Sequence, residues 1–533
     1  MLPLLRTRNK YPELASAIIK KLSTYTHASF LRRLFEHFQV YKNPAHGVAL
    51  NYPWSCFLAL KWKFIVPEKE RASVMSERDF VAVINRIYLL QDEATDLYRA
   101  EGIFLEMRRM IVNQAFYQSN VRTYATSLAR QYIWYCRSPS PFYRDRFFSL
   151  TGLRLEDYYG MAHFLMAVFH RDTRRESGSF PLSKLILYMV PKYGVEAVDA
   201  FLRLVSLRPD EIGTFIAYYK RPTPIPEEYY ERTPFIRRPV LLSEDSAIVF
   251  SKQLLGAGLG SLVPELFKEN HTGDYGNRFG GTVERYLEKH LSQTFSELQN
   301  EQTLKSRYKR ADRTGKVVDY LIREGEAYIF IDSKAVLPHR ILRESASANL
   351  LHDRIKGNLI EGLEKGEKCA AIINEIENRL PSRRDSLIIV LQQDHFISSG
   401  QFIAANIKPD IFDVLRAELH HLPVPEERIY FLTIDDLEVL TDVCRIRQMT
   451  VTEIIDMCSE ADGVPRTQKM DFRMHLSALL PDDYPLRQEI KDVLNELSDG
   501  TQEFVSQSSR IWDGRAGEYV RIREFLLRSC EEG

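Results

Sequence analysis

Residues 317–335 read "VVDYLIREGEAYIFIDSKA". Two apolar runs flank Arg323-Glu324-Gly325-Glu326, and a glycine between alternating apolar residues signals a hairpin. A two-residue turn at Glu324-Gly325 pairs Arg323 with Glu326, which sets Asp319 opposite Phe330 and Val317 opposite Asp332. Residues directly opposite share a face, and alternation brings Asp319, Asp332 and Lys334 onto it. The two aspartates then become diagonal neighbours roughly 7–8 Å apart, with converging side chains. A four-residue loop keeps this register; a three-residue loop reverses it.

Two converging carboxylates repel each other unless something positive lies between them. Mg2+ takes oxygen ligands, keeps several waters and needs only one or two carboxylates plus substrate phosphate oxygens, and Mn2+ is expected to substitute. Lys334 points the same way as Asp332, where it can orient an attacking hydroxide or stabilise a transition state. The chemistry implied is metal-assisted hydrolysis of a phosphodiester. The bland alternative is an edge hairpin with a solvated charged face, on which Asp332 and Lys334 pair as surface ions.

Working outward, "RFGGTVERYLEKHL" has helical periodicity, with Phe279, Val283, Tyr286, Leu287, His290 and Leu291 on one face. Glu284 borders that face and is the better candidate to reach the sheet; Glu288 lies further toward solvent. "TLKSRYKR" reads as a first strand on which Lys305, Arg307 and Lys309 alternate onto one face, with Arg310 beside it. Such residues contact phosphates without reading sequence, and solvated strand charge is an equal reading. After the hairpin, residues 341–380 read as a long helical stretch, "SLIIVLQ" as a buried strand, 411–419 as a helix and "RIYFLT" as a strand. This order predicts a mixed sheet flanked by helices.

Glu284, then Val318-Asp319, then Asp332-Ser333-Lys334 resembles the PD-(D/E)xK nuclease superfamily, whose fold is restriction-endonuclease-like. The resemblance spans residues 278–435. It implies Asp319 and Asp332 as metal ligands, the Ser333 backbone carbonyl as a further ligand, Lys334 as the catalytic lysine and Glu284 as a helix carboxylate that helps hold metal. Val318 stands at the nominal proline. Where some branches carry a glutamine on the following helix, "EKCAAIINEI" has only Asn374.

The 533-residue chain divides on this reading into a helical N-terminal domain (1–220), a Pro-rich linker and connecting segment (221–270), a nuclease domain (271–440) and a C-terminal helical segment (441–533). Five prolines between 222 and 239 mark the linker. The formal charge is zero overall, yet residues 1–240 carry about +12 and the remainder about −12. A basic half holds a polyanion or docks on the acidic half. "VRTYATSLARQYIWYCRSPSPFYRDRFFSL" interleaves arginine with aromatics, which suits base stacking or, more simply, an aromatic helical core.

Six scattered cysteines form no zinc spacing and fit a reducing, cytoplasmic setting. No run is apolar enough to suggest a membrane span. Phosphate loop, Gly-x-Ser-x-Gly elbow, His-Glu-x-x-His and EF-hand patterns are missing, so an ATP motor would come from a partner. The expected function is a Mg2+-dependent nuclease, DNA ahead of RNA. In layout the sequence is similar to bacterial phage-defence nucleases, which implies an effector whose N-terminal region senses a phage-derived trigger or docks a protein partner. The alternatives are an RNA-directed enzyme, for example on tRNA, and a non-catalytic binding module on a nuclease fold.

Overall fold

"SLIIVL" is buried at every position and forms the middle of three parallel strands, because a strand covered on both faces has no polar side to alternate. The computed structural model describes residues 9–40, 49–95, 102–118, 121–172, 174–243, 246–270, 273–464, 466–480 and 484–529. The chain forms two compact units. One comprises Met1–Asp96, Asn113–His271 and Leu486–Gly533; the other comprises Leu97–Val112 and Thr272–Pro485.

The first unit is mostly helical but carries a small sheet: β1 (Gly178–Pro181), β2 (Ser206–Leu207), β3 (Val240–Leu242) and β4 (Ser246–Val249), in the order β1-β4-β3-β2. This corrects two expectations. The region before residue 220 is not purely helical, and the Pro-rich stretch is not a free linker. Strand pairing across that stretch ties its two sides together, and its turns at Pro226–Tyr230 and Pro234–Ile236 bury Tyr229, Tyr230 and Phe235. The Arg-aromatic stretch supplies core: Tyr132, Trp134, Tyr135 and Tyr143 are buried. The C-terminal segment is divided, since residues before 486 belong to the second unit and those after it to the first.

The second unit holds the mixed sheet β5 (Leu298–Asn300), β6 (Tyr320–Glu324), β7 (Ala327–Lys334), β8 (Ser386–Leu391) and β9 (Ile429–Thr433), in that spatial order. β5, β6 and β7 pair antiparallel, and β7, β8 and β9 pair parallel. Helices Gly273–Ser292 and Glu361–Ile376 flank the sheet. A short piece of the N-terminal half completes the core: Leu105 packs in the same hydrophobic cluster as Phe330, Leu387 and Ile389. Arg108, fully buried, donates to the carbonyls of Phe396 at 2.6 Å and His395 at 3.0 Å.

Three local expectations are overturned. The first strand lies at 298–300, and the basic stretch after it is the helix Glu301–Arg310, capped by the Asn300 side chain. Leu304 and Tyr308, four residues apart, are the buried face of that helix. The 341–380 stretch is broken into Ile341–Glu344, Ala348–Ile355, a π-helical turn Lys356–Ile360 and Glu361–Ile376. The hairpin turn is Gly325-Glu326, because Glu324 pairs with Ala327. Gly325 has φ +60° and occupies the first turn position, whereas the expected turn would have forced a positive φ on Glu324. The register shifts by two residues, so its parity survives.

Candidate functional site

The apolar run Ala327–Ile331 carries β7 into the core, and Asp332 goes with it to zero exposure. β6 begins at Tyr320, paired with Ile331, so Asp319 stands one step beyond the ladder across from Asp332. The two aspartates face each other directly rather than diagonally, which draws them closer than the sequence register implied.

Each carboxylate is held. Asp319 Oδ2 accepts from the Ser333 backbone N–H at 2.7 Å and from the Ser333 hydroxyl at 2.6 Å. Lys334 Nζ lies 2.9 Å from Asp332 Oδ2. That oxygen is buried and receives no hydrogen bond among the described residues, so the lysine sits beside it off the hydrogen-bonding direction. Between the aspartates stands Lys365, with Nζ 2.5 Å from Asp332 Oδ1 and 3.3 Å from Asp319 Oδ1.

The helix that delivers Lys365 approaches the sheet through glycines. A Cβ at Gly362 would lie 3.1 Å from Ile389 and 3.4 Å from both Asp332 Oδ2 and Lys334 Cε, and one at Gly366 would collide with Leu387. "EGLEKGEKC" therefore places Lys365 against the carboxylates because its small residues let the backbone close on β7 and β8. A π-helical turn precedes that helix, an irregularity often found beside functional sites.

Glu284 comes from the other flanking helix. The Tyr320 hydroxyl donates to the Glu284 carbonyl at 2.6 Å, pinning that turn to the residue after Asp319. The residue is exposed as a whole, yet its carboxyl is raised, first by partial burial and then by the charges of Asp319 and Glu301. It makes no hydrogen bond to either aspartate among the described residues.

Electrostatics confirm the crowding. The Asp332 carboxyl is raised, first by burial and next by Asp319, with Lys365 and Lys334 opposing. Burial alone would lower Lys365, but Asp332 and Asp319 outweigh it and hold the ammonium protonated. Formally, two carboxylates and two ammoniums cancel.

Do these groups fit a divalent cation? Asp319 and Asp332 supply the hard oxygens that Mg2+ takes, and Asp332 Oδ2 is a buried oxygen without a hydrogen bond. No group of three His, Cys, Asp or Glu side chains is arranged around a metal position among the described residues. The pair fits such an ion, with Lys365 now bridging the two carboxylates.

The structure thus brings Asp319, Asp332, Ser333 and Lys334 together, with Glu284 close by. Ser333 takes part through its N–H and hydroxyl. Lys365 was not among the residues expected at the site; the polar group expected from that helix was an amide further along, at Asn374. The glycine pair at 362 and 366 was the signal. The four basic residues do not form one face. Lys305 pairs with Glu301 at 2.9 Å, Arg307 pairs with Glu377, and Lys309 and Arg310 are exposed at the helix end. Residues two apart on a helix point roughly 200° apart, so the shared strand face is lost.

Among the described residues no helix is long and apolar enough to cross a membrane. The five described cysteines are free and buried, and Cys530 lies outside the described residues. Comparison with protein-family models, with curated proteins and with solved structures returns no match to this chain.

Proposed function

We propose that this chain is a metal-dependent nuclease that hydrolyses phosphodiester bonds, DNA ahead of RNA, on a restriction-endonuclease-like core. One observation carries the reading: Asp319 and Asp332 converge at the end of the β6–β7 ladder with Lys334 2.9 Å from Asp332. Nothing in ordinary strand packing calls for two facing carboxylates, one of them fully buried.

A bound divalent ion would lower the pKa of a water and offset charge on a phosphoryl oxygen. Asp319 and Asp332 are the residues that would hold it. Ser333 fixes Asp319 Oδ2 and leaves Oδ1 to Lys365. Lys334, 20% exposed, is the cation placed to meet a phosphate oxygen or an attacking hydroxide at the site margin. Glu284 adds a carboxyl at the border. Lys305, Lys309 and Arg310 remain candidates for phosphate contact from a helix. A defence role, with a trigger or partner at the N-terminal half, belongs to this same proposal and rests on sequence layout alone.

A second reading, a binding module without catalysis, draws support from the cancelling charges of the four-residue cluster. Cleavage of plasmid DNA, single-stranded DNA and RNA in Mg2+, Mn2+ or EDTA separates the two. Metal-dependent cutting that disappears in Asp332→Ala and Lys334→Ala, with both variants folded, supports the nuclease. Cutting that survives either substitution at the wild-type rate sinks it.

A further inference from the structure

The cation that holds Asp319 and Asp332 together belongs to the protein itself. Lys365 spans one oxygen of each carboxylate, at 3.3 Å and 2.5 Å, which is the bridging place between them. Of the two aspartates Lys334 pairs with Asp332, through its other oxygen. With both ammoniums in place the cluster is neutral, so an added divalent ion meets two positive charges at close range in a poorly screened site. One of them has to move, and Lys365 is the one in the way.

It also has somewhere to go. Its side chain is 16% exposed rather than sealed in. Glu361 lies four residues earlier on the same helix, the spacing at which glutamate and lysine pair along a helix surface. Glu361 is already in a field of cations: its carboxyl is lowered chiefly by Lys316, 2.5 Å away, and also by Lys334 and Lys365.

We propose that Lys365 is an exchangeable internal counter-ion, holding the two aspartates together without metal and swinging toward Glu361 when a divalent cation takes the carboxylates. This inference rests on the metal-dependent reading of the site. Lys365 acts through the aspartates, so it is a positioning residue and sets metal affinity. If the form with Lys365 withdrawn is a minor population, apparent metal affinity is reduced by that fraction, and removing the lysine restores it.

The test is metal binding by the full chain without nucleic acid, followed by thermal unfolding and calorimetry during Mg2+ and Mn2+ titration. Lys365→Met should unfold at lower temperature than wild type in EDTA, and its half-saturating metal concentration should fall about tenfold or more. Lys365→Arg, which keeps the charge, should bind metal no more tightly than wild type. Glu361→Gln, which removes the alternative partner, should bind it more weakly, and this variant serves if Lys365→Met does not fold. If wild type binds metal and Lys365→Met binds it equally or less tightly, the exchange is wrong and the nuclease reading stands. Failure of both proteins to bind metal, with cleavage unchanged in EDTA, removes the metal-dependent reading and the exchange with it.

Discussion

Ser333 aims two donors at one oxygen of Asp319, its backbone N–H at 2.7 Å and its hydroxyl at 2.6 Å. The strand therefore orients the carboxylate that faces Asp332, and the serine between Asp332 and Lys334 has work of its own. Ser333→Ala keeps the N–H and loses the hydroxyl. Loss of one hydrogen bond to a charged group costs about 1.5–3 kcal/mol, so the variant should be less stable but folded while cleavage falls severalfold. Denaturant unfolding and initial rates measured side by side check this; an unchanged rate would detach Ser333 from the site.

Gly362 and Gly366 make a graded prediction, because their neighbours differ. A methyl at Gly366 would meet Leu387 in the core, so Gly366→Ala should destabilise the fold by about 1–3 kcal/mol through overpacking. A methyl at Gly362 would lie 3.1 Å from the core residue Ile389 and 3.4 Å from Asp332 Oδ2 and Lys334 Cε, so Gly362→Ala should cost less stability than Gly366→Ala and more activity. Urea midpoints and cleavage rates for the two variants should rank in opposite orders.

Glu367 supplies a pH prediction on the same helix. Burial pushes its carboxyl up to about 8, and one oxygen accepts from the Val424 N–H at 3.1 Å while the other is buried without a hydrogen bond. A carboxyl raised on folding binds its proton more tightly in the native state. Its contribution to stability is therefore complete below the unfolded value near 4.5 and is lost as pH rises through about 8. Glu367→Gln should flatten that decline and be the more stable protein at pH 8.5, by about 1–3 kcal/mol. Denaturant curves from about pH 5 to about pH 8.5 would show parallel wild-type and variant profiles if the idea fails.

What the sequence made legible follows from period and parity. The alternation in 317–335 put Asp319, Asp332 and Lys334 on one face even though the turn was placed one residue early, because a shift of two residues leaves every side chain on its own face. "SLIIVL" declared itself as a strand by its apolar run, and "RIYFLT" by the apolar residues between its polar ends. The basic stretch misled for the opposite reason. Lys305, Arg307 and Lys309 alternate as strand residues would, while Leu304 and Tyr308 carry the helical signal with only two buried side chains. Lys365 was hidden by its type, since a helical lysine beside Glu364 and near Glu361 and Glu367 reads as solvated charge. The glycines at 362 and 366 were the one hint in the sequence, and their closeness to β7 and β8, a tertiary fact, is what turns it inward.

The Tyr320 hydroxyl joins the two halves of the site, donating at 2.6 Å to the carbonyl of Glu284 from the residue next to Asp319. If Glu284 contributes through its position, Tyr320→Phe should slow cleavage although no reacting group is removed. The lost hydrogen bond is worth about 0.5–1.5 kcal/mol in stability, so the folded fraction should hardly change at moderate temperature. Glu284→Gln should slow cleavage as well, by removing the charge. A double-mutant cycle decides between linked and separate roles. Residues acting as a unit give a double variant little worse than the poorer single one, whereas independent residues multiply their losses. Multiplicative losses would mean that Tyr320 serves the sheet and not Glu284.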